Sequence, residues 1–169
     1  MSVGSGSNTV TLDGSGSVTS NGKVFNFPVY IYTVGTVTAG DDLTFGSSFL
    51  WTLSLGTFDA NNKNISLGTL YSSGVGTRTL ALGSGTWTVT GGGASAWNCS
   101  TSTNLTVTGT GTISMTSASA KTFAGGGKTW PILQNAGAGA LTISGSNTFT
   151  TISNSVQPTT ITFTAGTTQ

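Results

Sequence analysis

A short phrase recurs along this chain: two apolar residues flank one small residue, a glycine follows, and a threonine leads into another apolar residue. It reads Leu53-Ser54-Leu55-Gly56-Thr57-Phe58, then Ile65-Ser66-Leu67-Gly68-Thr69-Leu70, then Leu80-Ala81-Leu82-Gly83 with Gly85-Thr86-Trp87 behind it. Looser copies run from Leu105 to Ile113 and from Leu141 to Phe149, and partial ones stand at Leu43-Thr44-Phe45-Gly46 and Ile161-Thr162-Phe163. Apolar–polar alternation has the period of a strand, so each copy turns its apolar side chains to one face. The glycine lets the backbone take a corner where a Cβ would clash. Strand, glycine corner, strand describes a chain wound in coils about a narrow core. The expected fold is all-β, a right-handed parallel β-solenoid. Its coils must be unequal, because the copies lie between 10 residues (Leu43 to Leu53) and 36 residues (Leu105 to Leu141) apart. A regular solenoid would repeat at fixed period. Short strands with frequent turn signals also fit a β-sandwich, which is the alternative fold.

Two segments stand outside the repetition. Residues 1–38 read as an N-terminal arm with capping strands, and residues 39–169 as the repetitive solenoid. The most apolar stretch, from Val24 through Phe25, Phe27, Val29, Tyr30, Ile31 and Tyr32, contains Pro28, which belongs at an edge or at the start of a strand.

Composition excludes several classes of function. Only 5% of residues are charged and the formal net charge is +1, against about 25% charged in an average globular domain. With 36% hydrophobic residues the chain can still bury a core, so it is not disordered. The surface must be built from Ser, Thr, Asn and Gly, and without net charge to keep copies apart it favours self-association. The five basic residues, Lys23, Lys63, Arg78, Lys121 and Lys128, are scattered, so no electrostatic footprint for nucleic acid exists. No apolar run is long enough for a membrane-spanning helix. Met1 to Asn8 lacks the basic and apolar regions of a signal peptide. One cysteine, Cys99, permits no internal disulfide.

Catalytic constellations are correspondingly thin. The chain has no His and no Glu, which removes the usual Ser/His/Asp arrangement. Gly125-Gly126-Gly127-Lys128-Thr129 resembles a phosphate loop, but Thr122 occupies the position of its first glycine and Trp130-Pro131 follows where a helix should open. A glycine corner is the expectation. Asp41-Asp42 reads as a turn in which the carboxylates accept local backbone bonds, and Asp59 with Asn61 and Asn62 as a polar turn lacking calcium-loop spacing. No cofactor and no metal is expected. Asn64, Asn98 and Asn104 match the glycan-acceptor pattern, as a Ser/Thr-rich chain will by chance. Of the four tryptophans, Trp51 and Trp87 fall in alternating strands and belong to the core. Trp97 and Trp130 lie beside loop-like stretches and are the candidates for an exposed platform contacting a glycan. Thr-x-Thr pairs such as Thr106 with Thr108 and Thr162 with Thr164 are of the kind found on ice-binding faces, although any Thr-rich strand produces them.

The stretches Phe58 to Gly68, Thr77 to Trp87, Ser119 to Trp130 and Gly139 to Phe149, with the closing Thr160 to Gln169, resemble the repetitive β-rich proteins encoded by tailed phages and by environmental genomes. The resemblance covers most of residues 40–169 and implies a virion fibre or surface component, with no activity attached. The function expected on that basis is non-enzymatic and structural: part of a fibre, tail or capsid decoration. Its partners would be copies of itself, as a homotrimer or larger assembly, other virion proteins and a host-surface glycan. A carbohydrate-binding adhesin on a bacterial surface or outside the cell, and an ice-binding solenoid, are the alternatives.

Overall fold

The computed structural model describes residues 2–3, 9–157 and 159–169, so the start of the arm read over residues 1–38 lies largely outside the described residues. No helix occurs among them; the chain winds as a parallel β-solenoid of about seven turns. The sandwich alternative is excluded, because every strand pairing is parallel except that of β1 (Ser2–Val3) with β2 (Val10–Leu12).

The first five coils have three sides. Coil one is β2, β3 (Gly16–Val18) and β4 (Val24–Phe25). Coil two is the long β5 (Val29–Ala39), which bends through two sides, followed by β6 (Leu43–Phe45). Coil three repeats this with β7 (Leu50–Asp59) and β8 (Ile65–Leu67). Coil four is β9 (Thr69–Tyr71), β10 (Arg78–Ala81) and β11 (Thr86–Val89); coil five is β12 (Gly93–Asn98), β13 (Leu105–Thr108) and β14 (Thr112–Met115). Coils six and seven have two strands each, β15 (Lys121–Ala124) with β16 (Thr129–Asn135) and β17 (Leu141–Ser144) with β18 (Thr148–Asn154), and β19 (Ile161–Phe163) starts another coil. The coil therefore begins at β2, ahead of residue 39, and β5 runs through residue 38 without a break.

Register explains the interior. On side one, Val10, Val29, Trp51, Leu70, Trp97, Phe123, Ile143 and Phe163 are successive partners in one inward column. They are 19, 22, 19, 27, 26, 20 and 20 residues apart, which are the coil lengths. On side three, Leu43, Ile65, Trp87, Ile113, Leu133 and Ile152 form a second column. Between the sides runs a spine of aromatic contacts from Trp51 and Phe58 through Trp87 and Trp97 to Phe123, Trp130 and Phe149. Most are edge-to-face, with centroids from 4.9 to 6.1 Å apart, the geometry that the ring quadrupole favours by about 0.5–1.5 kcal/mol per pair.

The Lys63 and Asn64 region shows how corners are held. Asp41 accepts the N–H groups of Ser20 and Asn21 in the coil below, each at 2.8 Å. Asp42 accepts the N–H of Asn64 at 2.8 Å and its Nδ2 at 3.0 Å in the coil above, and Asn64 Oδ1 accepts the N–H of Thr86 in the next. One side-chain ladder thus satisfies backbone donors through four coils at a single corner.

Candidate functional site

The sequence-derived candidates divide sharply by position. Trp97 and Trp130 are both 0% exposed. This corrects their reading as platforms: each fills the core beside Phe123, and the two pack edge-to-face at 5.5 Å. A ring with no solvent-facing surface cannot stack on a sugar. Loop-like flanks misled the reading, because in this fold a core residue can stand within one or two positions of a corner, before it at Trp97 and after it at Trp130.

Gly125 to Lys128 link β15 to β16, with Gly126 and Gly127 at φ of 66° and 74°, and a strand, not a helix, follows. Asp41 and Asp42 hold backbone and Asn64 donors rather than facing a cleft, and these bonds, chiefly from Ser20 N–H to Asp41 and from the Asn64 side chain to Asp42, pull both carboxyl groups below their ordinary range. Asp59 accepts the N–H of Asn61 at 2.7 Å within its own turn. No group of three or more metal-ligating side chains occurs among the described residues. Cys99 is buried, and desolvation pushes its thiol up to about 12, which makes it a poor nucleophile.

Two buried cations escaped the sequence reading. Lys121 Nζ donates to the carbonyls of Ser117 at 2.9 Å, Gly139 at 2.5 Å and Gly137 at 3.4 Å. Arg78 donates through one guanidinium nitrogen to the carbonyls of Thr101 and Thr103, both at 3.1 Å. Burial lowers the pKa of both. Each cation stands where loops turn their carbonyls inward, so its work is to bind stacked corners together. Nothing in their sequence context announces this; only the inward register of β10 and β15 does.

What remains for function is the outer surface. A corner between sides one and two carries an apolar ridge: Val34 is 96% exposed, Val75 72% and Tyr32 53%. Val34 and Leu55 line a shallow groove there with Gly56, Thr57, Thr77 and Thr79. On side one beside it, Tyr30, Thr52 and Tyr71 are successive register partners on the outward side, with Tyr30 half-buried, Tyr71 exposed and Thr52 covered between them. Side two presents Thr36, Thr57, Thr79 and Thr106 in one in-register rank. The next rank runs Thr38, Asp59, Ala81 and Thr108.

These features define a class: a parallel β-solenoid with an aromatic core, side-chain-laddered corners and an almost uncharged outer face. No family model, no curated protein and no solved structure matches the chain.

Proposed function

We propose that the chain is a non-enzymatic architectural protein that associates with copies of itself, serving in a virion as a fibre, tail or capsid-decorating component. The observation that carries self-association is the corner ridge of exposed Tyr32, Val34 and Val75 with half-buried Leu55, an apolar strip spanning coils two to four with no charged residue among them. Apolar strips of this kind on soluble proteins mark contact surfaces, and with net charge +1 no long-range repulsion opposes a second copy. The virion setting rests on the resemblance of the repeated phrases to tailed-phage proteins. Sedimentation velocity over a wide concentration range tests the reading. Association that grows with concentration and is lost in Val34→Asp and Val75→Asp is expected. A wild-type protein that stays monomeric throughout overturns it.

A second reading has its own observation. The rank Thr36, Thr57, Thr79 and Thr106 repeats at the strand spacing of roughly 4.8 Å, and such a rank suits an ice lattice. Its neighbour is interrupted by Asp59 and Ala81, which breaks the second row that a lattice match needs. Thermal hysteresis that disappears in Thr57→Ala and Thr79→Ala would favour this reading over the architectural one.

A further inference from the structure

The chain contains three tyrosines, and all three stand on the outside of coils two to four, while its four tryptophans lie in the core. Alternation dictates this placement: in Val29-Tyr30-Ile31-Tyr32 the aliphatic residues face in, so both tyrosines face out. Tyr30 and Tyr32 are stacked with ring centroids 6.0 Å apart and planes within 10° of parallel. Tyr71 lies two strands along from Tyr30 with Thr52 between them in register. Strand spacing puts the Cα atoms of Tyr30 and Tyr71 roughly 9–10 Å apart. Together with Leu50, Thr52 and Ser54 they line an open groove of about 400 Å³.

We propose that this groove is a binding site for a neutral polysaccharide. A pyranose ring presents an apolar C–H face and an edge of hydroxyls, and it needs the same two things from a protein. The Tyr30 and Tyr71 rings supply flat apolar surface, each with a hydroxyl at its tip. Ser54 and the largely covered Thr52 add short hydroxyls to the lining, and exposed Leu50 adds apolar surface. Tyr30 and Tyr71 flank Thr52, which is only 7% exposed, so a sugar ring rests on the two tyrosine rings and not on the strand between them. Among the described residues no charged one lines the groove, which favours neutral over acidic glycans. Because the solenoid repeats along its axis, a chain of sugars can lie across successive strands from Tyr30 to Tyr71. Side-chain rotation is restricted on all three tyrosines to two torsions, so ordering them on a ligand costs little entropy.

The test is native electrophoresis in gels containing dextran, amylose, galactomannan or xyloglucan, with alginate as the acidic contrast. Retardation by at least one neutral polysaccharide and none by alginate is expected. Tyr30→Ala and Tyr71→Ala each weaken the retardation roughly threefold to tenfold, the worth of one aromatic contact, whereas Tyr71→Phe and Tyr71→Trp keep it. These side chains are partly exposed, and circular dichroism of each variant confirms that it folds. Failure of all four neutral polysaccharides to retard the protein, retardation by alginate, or retardation unchanged in the Tyr30→Ala/Tyr71→Ala double variant overturns the proposal. Val34→Asp and Val75→Asp leave the groove intact, so loss of self-association in those variants with retention of glycan binding separates the two surfaces.

Discussion

The indole N–H of Trp130 donates to the carbonyl of Gly125, five residues earlier and 3.2 Å away. Trp87 does the same to Leu82 at 3.0 Å. Both tryptophans close a glycine corner and follow a threonine, in Gly83-Ser84-Gly85-Thr86-Trp87 and in Gly126-Gly127-Lys128-Thr129-Trp130. The corner resembling a phosphate loop is thus a second copy of a structural unit in which an indole ties the core to the turn. Trp51 and Trp97 lack this bond; their ring nitrogens are buried without a partner. Trp130→Phe should therefore cost more than Trp97→Phe, by about 1–3 kcal/mol for the orphaned carbonyl. Either residue changed to Ala should cost about 3–5 kcal/mol. Urea unfolding of the four variants checks the order.

Corner glycines make an equally sharp contrast. A Cβ on Gly139 would sit 1.9 Å from the carbonyl oxygen of Ser119 in the preceding coil, whereas one on Gly14 meets nothing within 4 Å. Gly139→Ala must push stacked corners apart and should destabilise by about 1–3 kcal/mol or more. The same move also disturbs the Gly139 carbonyl that receives Lys121. Gly14→Ala should stay within about 0.5 kcal/mol of wild type. Thermal melts of the pair decide whether close coil stacking, rather than glycine content as such, limits stability.

The carbonyl cage around Lys121 makes a third case. Lys121→Met keeps most of the apolar stem and removes the ammonium, leaving the carbonyls of Ser117, Gly137 and Gly139 without this donor. A loss of about 1–3 kcal/mol is expected for each carbonyl that water cannot reach. Hydrogen exchange should locate the damage at residues 117–121 and 137–141 and spare coils one to three. Uniform loss of protection along the solenoid would contradict a local corner role.

The recurring phrase revealed the coil but not its length, and register shows why. In Ile65 to Leu70 the glycine turns from side three to side one, in Leu80 to Trp87 from side two to side three, and in Leu53 to Phe58 from side one to side two. The phrase marks any corner, so distances between its copies mix coil periods with fractions of a coil. The true lengths emerge only from partners such as Trp51 and Leu70. Longer coils come from loops at one corner, residues 72–77 in coil four and 99–104 in coil five, whose Ser, Thr and Asn composition resembles that of the strands' outer positions. The outward tyrosines are legible in the alternation of Val29 to Tyr32, where every second residue faces out. Trp97 and Trp130 follow small or polar residues that look like surface, although register stacks Trp97 between Leu70 and Phe123 in the inward column and Trp130 stands second in its strand, just past the corner.

Acid should unlatch the corner ladder. The pKa values of Asp41 and Asp42 lie below the ordinary 3.8, because the folded chain holds each carboxylate with hydrogen-bond donors. The unfolded chain therefore binds protons first as pH falls. The stabilisation is complete above about pH 4 and disappears as pH drops through the lower folded values. Asp41→Asn and Asp42→Asn should each lower the melting temperature at neutral pH and flatten its fall between pH 4 and pH 2. Melting temperatures that decline in parallel for wild type and variants would show that these carboxylates do not govern acid stability.

The step from three-sided to two-sided coils leaves an internal edge. β13 pairs with β10 on one side, where Arg78 N–H bonds to Asn104 carbonyl and Leu82 N–H to Thr108 carbonyl. In a parallel ladder alternate residues face opposite neighbours, so residues 104, 106 and 108 face β10 and Val107 faces away. Coil six has no strand in register there; instead a cleft of about 300 Å³ opens between residues 107–110 and residues 129–132. The Val107 amide should exchange with solvent faster than those of Thr106 and Thr108, although Val107 packs against the core and its neighbours do not. Side-chain burial alone predicts the reverse order. Amide exchange resolved to single residues by NMR therefore separates edge exposure from packing, and slow exchange at Val107 would mean that the step is sealed.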